Sequence, residues 1–87
     1  MTAKLADAPL SLEKTFTALR PKLHRYCARM TGSVIDGEDV VQEALAKAIE
    51  ASASAASIEN PEGWLFRIAH NTALDFMRRR APRAAIH

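Results

Sequence analysis

His24 and Cys27 come nearest to covalent chemistry: a base and a thiol three positions apart on what reads as a helix. A working pair needs the base within hydrogen-bond reach of the nucleophile and a third group to orient it. Cys27 continues an apolar stripe, so the pattern favours a thiol in the core with a histidine at its edge. His24, His70 and His87 are too scattered for a ligand set, and no His-x-x-x-His or Glu-x-x-His pair occurs. Cys27 is the only cysteine, which leaves no internal disulfide and no Cys-based zinc site. Three glycines supply no phosphate-cradling loop. A small helical chain also offers little room for a water-excluding cleft. The chain is expected to bind rather than catalyse, with no metal and no cofactor.

Binding chemistry is better represented. Arg67, Arg78, Arg79, Arg80 and Arg83 crowd the last quarter, and Arg20, Lys22, Arg25 and Arg29 the first third. Between them Asp36, Glu38, Asp39, Glu43 and Glu50 make an acidic middle. The net charge of +2 hides this segregation, which suggests two kinds of partner. An uneven solvated surface would look the same. Arg67, His70, Asn71 and Arg78 mix fixed charge with amide donors and acceptors, and asparagine can read a base edge or a phosphate. Trp64 and Phe66 lie just upstream, where aromatics give stacking platforms worth roughly 1–3 kcal/mol per unpaired base. Two plainer readings stay open. Trp64 could be a core anchor, and Arg78 to Arg80 a solvated helix end that complements the C-terminal dipole.

Three helices must position these residues. Nothing alternates with period two for long enough to make a strand, and alanine is abundant, so the fold is expected to be all-α, a three- to four-helix bundle. The first helix is expected to start near Ser11, a good N-cap, with Glu13 in its first turn. Leu12, Phe16, Leu19, Leu23, Tyr26, Cys27 and Met30 form its core stripe. Pro21 predicts a kink or break near Leu19-Arg20, and Gly32 a stop. The second helix is expected to begin at Asp36, with Asp39 completing an acidic capping box. Val41, Ala44, Leu45, Ala48 and Ile49 share its core face, with Asp39, Gln42, Glu43, Ala46 and Glu50 opposite. It should end around Ala51 to Ser54, and the Ala/Ser run through Glu59 reads as a loop. Asn60-Pro61-Glu62 is a strong start for the third: cap, proline at the first position, acid in the first turn. Leu65, Ile68, Ala69, Thr72, Ala73, Phe76 and Met77 line its core side, and Pro82 follows its end.

With 87 residues, 48% of them hydrophobic, the chain can build one modest core. No apolar run approaches the roughly 20 residues that cross a bilayer. Met1 to Leu10 lack the apolar block of a secretion signal, so the chain is read as cytoplasmic with no membrane partner. The expected organisation is a flexible segment at 1–10, a helical domain at 11–80 and the start of a linker at 81–87.

Asp36-Gly-Glu-Asp-Val-Val-Gln-Glu43, then Trp64-Leu-Phe-Arg-Ile-Ala-His-Asn71, then Asp75-Phe-Met-Arg-Arg-Arg80 resemble, in this order, conserved region 2 of bacterial sigma factors of the extracytoplasmic-function group. Leu19-Arg-Pro-Lys-Leu-His-Arg-Tyr26 is similar to the start of that domain, and the resemblance covers roughly residues 12 to 80. It implies a domain that docks on the RNA polymerase core and helps open the promoter at the −10 element. Asp39, Gln42 and Glu43, with Ala46 and Glu50 beside them, match the helix that binds the coiled-coil clamp of the beta-prime subunit. Arg67, His70 and Asn71 match positions that face the non-template single strand, with Asn71 the direct contact. Trp64 matches the aromatic at the point of strand separation, and Arg78, Arg79 and Arg80 look like backbone clamps. Opening would be selection of an unstacked state by binding energy, not hydrolysis. An anti-sigma factor is a further partner that the resemblance admits.

This sequence departs from the family pattern in two places. The loop before the third helix commonly carries an aromatic that shapes the pocket for a flipped base, and Ala51 to Glu59 has none. Family members usually add a helix-turn-helix domain for the −35 element, so the chain is read as part of a longer protein. Two rival readings remain: a duplex-DNA regulator with its last helix in the major groove, and a protein-binding adaptor bundle whose arginines only solubilise. A duplex reader needs a short turn between its last two helices, and the Ala/Ser stretch is too long for one.

Overall fold

The computed structural model describes residues 2–54 and 58–80, with side chains for 12–53 and 58–80. Three helices account for them: α1 (Thr2–Thr31), α2 (Val34–Ser54) and α3 (Pro61–Arg80), each packed against the other two. The expected all-α bundle is what folds.

α1 departs from expectation at two points. It begins at Thr2 rather than near Ser11, because alanine and leucine dominate the upstream segment and favour helix over an isolated cap. It also runs unbroken through Pro21. The proline is exposed, and the carbonyl it leaves without a partner belongs to Thr17, itself exposed, where water can satisfy it. Gly32 stops the helix as expected. Its φ of +77° is open to glycine without strain, and the amides of Gly32 and Ser33 both donate to the Ala28 carbonyl, at 2.8 and 3.2 Å.

The cap of α2 is Ser33, not Asp36. Ser33 Oγ accepts from the Asp36 amide at 3.1 Å, which sets Asp36 at the third helical position, where its charge suits the dipole. The helix therefore gains Val34 and Ile35, β-branched residues that argue weakly for a helix start and stand exposed. Two residues separate α1 from α2, and Gly37 lets them cross closely. A Cβ at Gly37 would sit 2.7 Å from the Ala28 backbone. α2 reaches Ser54, so the loop begins later than Ala51, and residues 55–57 lie outside the described set. α3 starts as expected: Asn60 Oδ1 accepts from the Gly63 amide at 3.2 Å, ahead of Pro61.

The core joins Leu12, Phe16, Leu19, Leu23 and Cys27 of α1 to Val40, Val41, Ala44 and Ala48 of α2 and Leu65, Ala69 and Ala73 of α3. Burying a leucine such as Leu23 or Leu65 contributes on the order of 1.5–3 kcal/mol. Thr72, the one buried polar residue among the described residues, donates its hydroxyl to the Ile68 carbonyl at 2.6 Å. Two positions on α2 correct the expected face. Val40 is buried because α2 touches both neighbours and so buries a broader arc than one stripe. Ile49 is 53% exposed, because by that turn the buried arc has narrowed to Ala48.

Candidate docking ridge and nucleic-acid interface

The chemical pair at His24 and Cys27 comes apart in three dimensions. Cys27 is fully buried, and burial pushes its thiol up to about 11, away from the thiolate that attack requires. His24 Nε2 lies 3.0 Å from the Val34 carbonyl oxygen and 3.9 Å from Glu38. Among the described residues no group of three metal-ligating side chains gathers.

α2 presents its polar face as expected. Asp39, Gln42, Ala46 and Glu50 are exposed and Glu43 is half-buried. The ridge has apolar ends. Ile35, 76% exposed, and Ile49 extend it, since 35, 39, 42, 46 and 49 alternate steps of four and three along one side of a helix. Sequence reasoning missed both isoleucines, although that spacing was the available signal.

Beneath the ridge, Glu38 ties α2 to α1. It pairs with Arg20, and Gln42 Nε2 donates to its Oε2 at 3.3 Å. The Gln42 hydrogen bond, with the positive charge of Arg20 and the electrostatic effect of the nearby His24 ring, holds the Glu38 carboxyl below its ordinary value. Glu43 is bracketed by Lys47 at 3.5 Å and Arg79 at 3.3 Å. Asp39 and Glu50 enter no ion pair among the described residues, so their carboxylates face solvent uncommitted.

α3 divides the residues expected on its nucleic-acid face. Arg67 and Asn71, one turn apart, are both exposed and unpaired among the described residues. His70 is half-buried, its Nδ1 2.6 Å from the Tyr26 hydroxyl, so Tyr26 fixes the ring beside Asn71. Trp64 is half-buried against the core, which agrees with a packing anchor and leaves part of the indole accessible. The arginine run turns elsewhere. Arg78 pairs with Asp75 at 3.6 Å, Arg79 with Glu43, and Arg80 with Asp36 at 3.7 Å, while Phe76 lies under the guanidinium groups of Arg79 and Arg80. These last two therefore bridge α3 to the acidic helix instead of joining Arg67 and Asn71.

The described residues thus form a three-helix domain with an acid-and-amide ridge on one helix and an exposed arginine–asparagine edge on the next. The family model for sigma-70 region 2 matches residues 15–83. SigG of Mycobacterium tuberculosis, described as an ECF RNA polymerase sigma factor, is 46% identical over 65 residues, 72% of this chain and 18% of its own. SigW of Bacillus subtilis, described likewise, is 35% identical over 63 residues, 72% of this chain and 34% of its own. The chain belongs to the sigma-70 region 2 family. It spans about a fifth and a third of the length of these two relatives. No solved structure matches it significantly.

Proposed function

We propose that this domain serves transcription initiation as part of an RNA polymerase sigma factor. The α2 ridge docks on the coiled-coil clamp of the beta-prime subunit, and the exposed edge of α3 holds the unpaired non-template strand of a promoter −10 element. The observation that carries this reading is the presence of two exposed polar faces on adjacent packed helices. Asp39, Gln42 and Ala46 are open on α2, and Arg67 and Asn71 are open on α3. Charged helix-on-helix contact suits the first, and a planar cation beside an amide suits the second. The SigG and SigW relatives, both described as ECF RNA polymerase sigma factors, support the same assignment.

Each residue has a distinct part. Asp39 and Gln42 contact the clamp, with Glu43 and Glu50 at the flanks. Asn71 hydrogen-bonds an unstacked base, Arg67 neutralises a phosphate, and Trp64 lends its exposed edge where the strands part. Capture of an unpaired base offsets an unstacking cost of a few kcal/mol, so melting is a population shift toward the open state. A polymerase subunit of this kind works in the cytoplasm, and an anti-sigma factor would act by covering either face.

The test is a pull-down with the beta-prime clamp coiled coil, run beside binding of labelled single-stranded −10-like and duplex oligonucleotides. Asp39→Ala with Gln42→Ala is expected to abolish clamp capture and spare single-strand binding, and Asn71→Ala to do the reverse. If each variant lost both activities in a folded domain, the two-face assignment would fail. Preference for duplex would favour a major-groove regulator, and clamp capture without any DNA binding an adaptor.

A further inference from the structure

α1 carries a third charged feature that neither face uses. Lys22, Arg25 and Arg29 step by three and four residues, so they line one side of the helix. All three are exposed, and none enters an ion pair among the described residues. Most cations elsewhere on the surface are neutralised: Arg20 by Glu38, Lys47 by Glu43, Arg78 by Asp75, Arg79 by Glu43 and Arg80 by Asp36. These three basic residues, with Tyr26 and Phe66, bound a groove of about 300 Å³ between α1 and α3. Its floor is aromatic. The Tyr26 and Phe66 rings meet edge to face, with centroids 5.7 Å apart and an interplanar angle of 79°. Tyr26 is held in place through its hydroxyl by His70 Nδ1 at 2.6 Å.

We propose that this groove binds one nucleotide of single-stranded DNA, its base against the Tyr26 and Phe66 rings and its phosphates against Lys22, Arg25 and Arg29. Three uncompensated cations around an aromatic floor supply the two components that sequence-tolerant single-strand binding combines: backbone charge and stacking. An acidic peptide would use the charge but leave the rings idle. A duplex would keep its bases out of reach of rings set between two helices. On α3, Phe66 and His70, which holds Tyr26, sit one residue before Arg67 and Asn71, about 100° round the helix from them, so the groove and the α3 edge occupy flanking sides of one helix. A strand lying on Arg67 and Asn71 can therefore continue onto α1. This inference rests on the proposed single-strand role and extends the track beyond the α3 edge.

The experiment uses the full chain, two labelled single-stranded oligonucleotides and the duplex of the longer one. One is a short −10-like strand, and the other is the same strand lengthened at both ends. In a Lys22→Gln, Arg25→Gln, Arg29→Gln variant, the longer strand is expected to bind at least tenfold more weakly. The slope of log affinity against log salt should also become shallower by about 0.7 for each lost phosphate contact. The short strand should show a much smaller change. A 2-aminopurine moved along the longer strand should be quenched where a base meets the rings. Tyr26→Ala should relieve that quenching and weaken binding roughly 5- to 150-fold, the worth of one stacked base.

Equal loss on duplex and single strand would mean general electrostatic attraction and would overturn the groove. So would an unchanged salt slope, or no quenched position in the wild type. If the triple variant bound both strands as wild type does while Asn71→Ala weakened both, the groove alone would fail and the α3 assignment would stand. If the wild type bound neither strand, both would fall together.

Discussion

The Glu43 carboxylate lies 3.3 Å from the Arg79 guanidinium, so the ridge of α2 and the end of α3 share a charge pair. Both partners are substantially solvated, and such pairs contribute roughly 0–1 kcal/mol. Arg79→Ala should therefore leave the denaturation midpoint nearly unchanged. Its effect should appear in binding. Glu43, released from Arg79, becomes more available to a clamp cation, and clamp capture is expected to hold or strengthen. Glu43→Gln should weaken it. Clamp titrations of the two variants decide the matter, and a loss on Arg79→Ala as large as that on Asp39→Ala would make Arg79 a docking residue.

Ile35 and Ile49 are expected to anchor docking by burial against the clamp. They are 76% and 53% exposed, so Ile35→Ser and Ile49→Ser should change folding stability by only about 0.5 kcal/mol. Each should nevertheless weaken clamp binding by roughly fivefold or more, as loss of an apolar anchor at an interface does. Thermal melts beside clamp titrations separate the two effects. Equal clamp affinity in both variants would confine docking to the polar centre of the ridge.

The isoleucines also mark where reading the chain stopped short. The stripes of α1 and α3, the Gly32 stop and the Asn60-Pro61 start were legible because each rests on local chemistry: periodicity, a glycine-specific φ, a cap. Ile49 was not, because its place depends on how far α2 overlaps its neighbours, and apolar character alone assigned it to the core. Val40 was missed for the converse reason, since two neighbouring helices bury a wider arc than one stripe. The start of α2 was misread because Ser33 and Asp36 are both competent caps, and only the fold chooses between them. At the site, the exposure of Asp39, Gln42, Arg67 and Asn71 followed from the helical wheel. The pairing of Arg79 and Arg80 with α2, and of Tyr26 with His70, depends on helix crossings that no local pattern encodes.

One of those crossings is testable through Gly37. A methyl group there would stand 2.7 Å from the Cα and N of Ala28, backbone atoms that cannot rotate away. Gly37→Ala gains up to about 1 kcal/mol of helix propensity but must part α1 from α2, and overpacking typically costs about 1–3 kcal/mol. A net loss is expected, seen as a lower urea midpoint. Gly63→Ala is the control, because its new methyl meets only the Asn60 side chain, which can move at the expense of the cap. A Gly37→Ala domain as stable as wild type would mean that the helices can separate without cost.

The Glu38 carboxyl ties stability to pH. Its hydrogen bond from Gln42, and then the charge of Arg20 and His24, depress its titration below the ordinary value of 4.5. Near that ordinary value the unfolded chain takes up a proton that the folded domain still refuses. Ionised Glu38 therefore favours folding above it, and the contribution fades as pH falls through the depressed value. The side chain is 38% exposed, so solvent screens the effect and the change should be modest. Wild-type melts taken from about pH 7 down to about pH 3 should lose stability in this acid window, and Glu38→Gln should lose less over the same range. Gln42→Ala removes the leading cause of the depression and should flatten the profile in the same direction. If Glu38→Gln tracked the wild type at every pH, other carboxylates would set the acid limit, and the Arg20–Glu38–Gln42 cluster would matter for orienting the ridge rather than for stability.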